Sequence, residues 1–192
     1  MMKILKRHSS CHIPILIIFI LGVFTAILYG MGRVPVCTCG IGLWEGSAWS
    51  NATSQHLFDP YTFSHILHGI IFYAVLSFMW KRSTVKQRLM AALLIEIAWE
   101  ILENSPLIIN RYRAATASLD YTGDSILNSV GDVLSCLAGF WLVWKLPIKI
   151  TIAIVIVVEL LMLATIRDNL TLNVVMLLYP IDGIREWHIA GH

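Results

Sequence analysis

Charge is what this chain has least of. Of its 192 residues only 14% are Asp, Glu, Lys or Arg, while 57% are hydrophobic; a soluble domain carries roughly 25% charged residues. So few charges cannot cover a water-exposed surface, which excludes a soluble enzyme, and the same composition excludes a disordered chain and a collagen-like fibre. Long basic runs are also missing and the net charge is only +2, which argues against a nucleic-acid partner. There is no internal repeat and no low-complexity tract. What remains is a multi-pass membrane protein, read as one integral domain over residues 1–192.

Crossing a bilayer takes about 20 mostly apolar residues in a helix. Five segments meet that length: Ile13–Met31, Thr62–Trp80, Leu89–Ile109, Ile126–Trp144 and Ile148–Ile166. The first follows Lys3, Lys6 and Arg7, but its apolar run exceeds that of a signal peptide and no Ala-x-Ala-like site follows, so it reads as an uncleaved anchor. A shorter stretch, Leu170–Tyr179, ends at Pro180 and predicts a re-entrant or interfacial helix. The expected fold is an all-α polytopic bundle of about five transmembrane helices plus this short C-terminal helix.

Lys3, Lys6 and Arg7 precede span one; Lys81, Arg82, Lys86 and Arg88 join spans two and three; Lys145 and Lys149 join spans four and five. These segments alternate, so positive charge predicts a cytoplasmic N-terminus and an external C-terminus. All six lysines fall on the inner side, and every acid lies within a span or on the outer side. Two outer loops result, 32–61 and 110–125. Trp44 and Trp49 in the first are candidate headgroup anchors.

The polar residues inside the spans fall at helical spacing. Span two carries Ser64, His65 and His68; span three carries Glu96, Glu100 and Glu103 with Asn104 beside them; span four opens with Asp124, Asn128 and Asp132, flanked by Ser125 and Ser129. Residues three or four apart share a helix face. Ionisable groups in a span cost about 2.5–3.5 kcal/mol each, so they are rarely there without a partner or a task. Counting 1.5 Å per residue from the outer ends puts His68, Asp132 and Glu103 each roughly 9 Å down. His65 and Asn128 come one turn shallower, Glu100 one turn deeper, and Glu96 reaches on toward the cytoplasm. Three polar stripes therefore coincide in depth.

Imidazoles with carboxylates suit zinc, manganese or iron. A metal with an open position activates a water, and a spare glutamate serves as base. His-x-x-His is a half-site and not the His-Glu-x-x-His signature. A polar network locking helices together, or an acid–histidine proton relay, would use the same residues. After span three, Arg111 and Arg113 are placed to hold an anionic lipid headgroup bidentately, or to pair with Asp120 and Asp124.

Cys37 and Cys39 would face an oxidising compartment and form either a reducible pair or bonds elsewhere; Cys11 and Cys136 read as unpaired. Glu159 stands alone near the middle of span five. Asp168, Asn169 and Asn173 lie at the outer mouth, and His8, His12, His188 and His192 read as surface residues.

The strings QHLFDPYTFSHILHG, WEILENSPLIINRYRAATASLDYTGDSILNS and RDNLTLNVVMLLYP resemble a group of bacterial multi-pass inner-membrane proteins, uncharacterised protein family 0314 or domain of unknown function 2585. The resemblance runs from about Cys37 to Trp187. It implies a bacterial inner-membrane location and brings no activity with it. A His-x-x-His-Gly helix followed by a polar Asn/Asp helix also resembles VanZ-like membrane proteins, by analogy of fold only.

The residues therefore predict a periplasm-facing, metal-dependent membrane hydrolase of a lipid or lipid-linked substrate. Zinc is the first candidate cofactor, with His65, His68, Glu103 and Asp132 as ligands. Glu100 and His65 are the catalytic candidates. Arg111, Arg113, Asn104, Asp120, Asp124 and Asn128 are the substrate-binding candidates, and membrane lipids are the expected partners. Two readings of other classes stand beside it: a transporter of protons, metal ions or small solutes along the Glu96–Glu103 stripe, and a non-catalytic assembly protein.

Overall fold

A computed structural model of the chain describes residues 2–116 and 121–190, with side chains from residue 13 onward. Its described residues form eight helices and no strand: α1 (Met2–Gly30), α2 (Thr62–Met79), α3 (Val85–Glu103), α4 (Pro106–Ala115), α5 (Ile126–Lys145), α6 (Ile148–Ile166), α7 (Leu170–Leu178) and α8 (Asp182–Ile189). Four of them, α1 from Ile13 together with α2, α5 and α6, are long and apolar enough to cross a membrane. Only 11% of the apolar windows of α1 and α6 is buried, with Ile18 and Ile148 at 69% and 67% exposure. Apolar surface on that scale needs lipid around it.

The third expected span is different in kind. α3 has 19 residues but carries Lys86, Arg88, Glu96, Glu100 and Glu103, too many charges for a lipid-facing helix. It is amphipathic across the bundle: Ala92, Leu93, Glu96, Ile97 and Glu100 are buried, while Leu94, Ile95 and Leu102 face out. A capping box starts it, with Thr84 accepting from the Gln87 backbone and the Gln87 side chain accepting from the Thr84 N–H at 2.8 Å.

α3 ends six residues before the expected Ile109. Ser105 is extended (ψ 153°), because a residue before proline is pushed out of the helical region, and Pro106 then opens α4 at a position where its missing N–H costs nothing. The first part of the expected polar loop 110–125 is therefore helical.

The core of the bundle is the pairing of α2 with α5, the most extensive helix contact in the molecule. Glycines let the backbones meet. A Cβ on Gly69 would lie 1.9 Å from the Cys136 carbonyl oxygen, and one on Gly139 2.0 Å from that of Ile66. Small residues at the interface are the usual means of close helix approach in lipid. This contact sets His65 on α2 beside Asp132 on α5.

The expected C-terminal apolar helix is α7, and α8 follows it as a further helix absent from the sequence reading. Glu159 ties α7 to α6, accepting from the Leu170 N–H (3.0 Å), the Thr171 N–H (3.2 Å) and the Thr171 hydroxyl (2.5 Å). Asn169 caps the same end by accepting from the Leu172 N–H at 2.8 Å. The lone acid of span five is thus a helix cap. His188, expected at the surface, is 2% exposed, and burial holds its imidazole below the usual histidine range.

The 32–61 segment is an ordered loop, held by Leu57 N–H to Gly42 O, Phe58 N–H to Leu43 O and Glu45 N–H to Phe58 O (3.0–3.2 Å). Trp44 is half exposed, but Trp49 packs against the cluster of Ala48, Met162 and Ile166 rather than standing free as an anchor. Cys37 and Cys39 are bonded to each other, and Cys136 is a buried free thiol.

Candidate functional site

Two histidines and four carboxylates converge where α2, α3 and α5 meet. His65 Nδ1 lies 2.7 Å from Glu96 Oε1 and 3.4 Å from Glu100 Oε1, and its Nε2 lies 3.9 Å from Asp132 Oδ2. His68, one turn along α2, places Nδ1 3.2 and 3.1 Å from the two oxygens of Glu96. Ligand atoms fall within 4.8 Å of one another in two sets, His65–His68–Glu96 and His65–Glu100–Glu103.

Glu96 and Glu100 are wholly buried, and His65 and Asp132 nearly so. Both oxygens of Glu100, Oε2 of Glu103 and Oδ1 of Asp132 have no hydrogen-bond partner among the described residues. A buried acceptor without a donor costs about 1–3 kcal/mol, more when charged. Imidazoles and carboxylates of the two sets are the ligand types that zinc-type cations take.

Convergence of the three stripes is as the spacing predicts, but its register differs. Because α3 stops at Glu103, its acids rise about 9 Å relative to a helix ending at Ile109 (six residues at 1.5 Å each). Glu96, expected to lie toward the other side of the membrane, thereby becomes the shared partner of His65 and His68. The signal was present in Ser105-Pro106, which marks the break.

Above the cluster opens a cavity of about 700 Å³. His65, His68, Glu103 and Asp132 line it, as do Asp59, Asp124 and Asp168; Phe72, Ile95, Trp99, Leu170, Val174 and Leu177 supply an apolar side. Glu100, wholly buried, is not part of this lining. Asp59, which the sequence reading passed over, is 1% exposed and accepts from the Ser54 and Tyr61 N–H groups at 2.7 Å each. An aspartate just ahead of Pro60 and the start of α2 is a helix-start signal that could have found it. Burial is the main force that lifts the carboxyls of Asp59 and Asp124 above the usual aspartate range and Asp168 to about 6.

The other substrate-binding candidates have structural engagements. Asn104 and Asp124 clasp each other, Asn104 Nδ2 donating to Asp124 Oδ2 (2.9 Å) and the Asp124 N–H to Asn104 Oδ1 (2.8 Å). Asn128 donates to the His56 carbonyl at 2.8 Å. Arg111 donates to the Leu177 and Leu178 carbonyls (2.8 and 3.2 Å), closing the end of α7, and Arg113 to the Tyr121 carbonyl (2.5 Å). Of these, only Asp124 lines the cavity. Asp120 lies outside the described residues. At the mouth, Asp168 and Asn173 line the cavity, and Tyr61 donates its hydroxyl to Asp168 at 3.4 Å.

Residues 28–190 match a family described as "Protein of unknown function (DUF2585)". The chain belongs to that family. A UPF0314 protein of Rhizobium johnstonii is 50% identical over 163 residues, 84% of each chain. One from Paracoccus denitrificans is 51% identical over 164 residues, 85% of each. One from Sphingopyxis alaskensis is 49% identical over 173 residues, 90% of this chain and 92% of its own. The matched region of the family contains every element of the His/Glu/Asp cluster. No solved structure matches the chain significantly.

Proposed function

We propose that this member of the family is a metal-dependent membrane hydrolase of the bacterial inner membrane, acting from the periplasmic side on a lipid or lipid-linked substrate. The observation that carries the proposal is the convergence of two histidines and Glu96, with ligand atoms within 4.8 Å of one another, beside an amphipathic cavity that both histidines line. Positive charge supports the orientation: Lys81, Arg82, Lys86 and Arg88, with Lys145 and Lys149, lie at the opposite ends of their helices from the cluster.

His65, His68 and Glu96 would hold a zinc-type ion, while Asp132 faces the far nitrogen of His65 at 3.9 Å. When bound, the ion would supply the acidity that lets a water lose a proton near neutral pH. Glu103 lines the cavity and would act as general base, taking the proton of the water that adds to an ester and returning it to the alcohol that departs. Glu100 Oε1, 3.4 Å from His65 Nδ1, would help to orient that imidazole. The apolar side of the cavity would accept the hydrocarbon of the substrate.

Elemental analysis of the purified full chain tests this. About one zinc-type ion per chain is expected in the wild type, lost in His68→Ala and in Glu96→Gln. Release of a water-soluble product from phospholipid vesicles should stop on chelation. A folded wild-type protein free of transition metal overturns the proposal.

A further inference from the structure

Acidic side chains dominate the ionisable lining of the cavity. Asp59, Glu103, Asp124, Asp132 and Asp168 line it, and no lysine or arginine does among the described residues. Arg113 donates to the Tyr121 carbonyl, Arg111 to the end of α7 and Arg33 to the Thr122 carbonyl. A water-poor cleft lined by one sign of charge focuses its field on whatever enters it. An anionic headgroup entering the cavity would meet these five acidic side chains and no lysine or arginine among the described residues.

We infer that this cavity recognises an organic ammonium group bearing N–H donors, a primary amine, as the headgroup of its substrate. The inference deepens the hydrolase proposal and rests on it only in taking the cavity as the substrate chamber. Three observations support it. Asp132 is 4% exposed and its Oδ1 accepts no hydrogen bond among the described residues; an ammonium N–H satisfies such an oxygen, and a quaternary nitrogen has no proton to offer. Asp59, Asp124 and Asp168 belong to neither ligand set close enough for a bare ion, so their spread suits a larger cation. Trp99, Tyr112 and Tyr121 line the same space, and aromatic rings attract cations with their faces.

The amine has two sources, a lipid headgroup or a soluble amine. The apolar side of the cavity includes Ile95 and Val174, 43% and 44% exposed on the flank of the bundle, which gives an acyl chain a route in from the hydrocarbon.

The test is a titration of the detergent-solubilised full chain, followed by tryptophan fluorescence since Trp49 and Trp99 line the cavity. The probes are short-chain phosphatidylethanolamine, phosphatidylcholine and phosphatidylglycerol, and free ethanolamine. Phosphatidylethanolamine is expected to bind about tenfold more tightly than phosphatidylglycerol and more tightly than phosphatidylcholine. Asp132→Asn and Asp168→Asn should each erode that preference about fivefold, and Trp99→Leu, which keeps every carboxylate, should weaken every ammonium probe. Saturation by free ethanolamine without a response to the lipid assigns a soluble amine, and a response to the lipid assigns a headgroup; either supports the inference. Equal or tighter binding of phosphatidylglycerol or phosphatidylcholine, or no binding by any probe, overturns it. Metal content measured on the same samples separates the two claims. A metal-free protein that still selects the amine overturns the hydrolase proposal alone, and a metal-loaded protein without selectivity overturns this one alone.

Discussion

Nδ1 of His65 lies 2.7 Å from Oε1 of Glu96, and the same oxygen lies 3.2 Å from Nδ1 of His68. One glutamate on α3 thus gathers two imidazoles from successive turns of α2. With Asp132 of α5 3.9 Å from the far nitrogen of His65, this contact makes three helices into a single site.

Removing either member of the His65–Glu96 pair leaves a buried polar group unmatched, a loss of about 3–5 kcal/mol where the groups are charged. Their effects should not add. In a cycle of His65→Ala, Glu96→Gln and the double variant, a coupling of roughly 1–3 kcal/mol is expected, read from thermal unfolding in detergent. Strict additivity would mean that the two residues do not stabilise each other.

Glu159 gives a contrasting case, an intramembrane acid with a purely architectural partner. Its carboxylate covers the first N–H groups of α7, where the helix dipole favours negative charge. Glu159→Gln keeps one acceptor oxygen and loses the charge, at a cost of about 1 kcal/mol. Hydrogen exchange should quicken over residues 170–174 and stay unchanged in α2 and α5. Uniform faster exchange throughout would show that the residue supports the whole bundle instead.

How far such roles can be read from sequence depends on the kind of signal. Apolar runs near 20 residues placed α2, α5, α6 and the apolar part of α1 to within a few residues. Stripes at three- and four-residue spacing likewise revealed that His65, Glu100, Glu103 and Asp132 would meet. The depth of Glu96 was not legible from periodicity, because hydropathy runs on through Pro106 to Ile109 while the backbone breaks at Ser105. Glu159, Arg111 and Asn128 take backbone partners on other elements, and nothing in a side chain's own neighbourhood announces a distant carbonyl or N–H. For the same reason the positive charge of Arg111 and Arg113 suggested an anionic ligand, whereas both are spent on carbonyls. Asp59 makes its hydrogen bonds locally, with Ser54, Tyr61 and Thr62, and only the helix start just beyond it signals its place.

Helix contact and site geometry meet at Gly69. Its missing Cβ is the gap through which the Cys136 carbonyl reaches α2, at 1.9 Å from where that atom would stand. Backbone cannot yield as a flexible side chain does, so Gly69→Ala must push α2 from α5. Overpacking of this kind costs about 1–3 kcal/mol, and it should separate His65 from Asp132, which ride on the same two helices. Gly22→Ala is the control: nothing lies within 4 Å of the new methyl on α1, and replacing a helical glycine by alanine there should stabilise by about 0.5–1 kcal/mol. Thermal unfolding of both variants in detergent should move in opposite directions, with metal content falling only in Gly69→Ala. A Gly69→Ala protein as stable as the wild type would show that the α2–α5 contact is looser than a backbone-to-backbone approach.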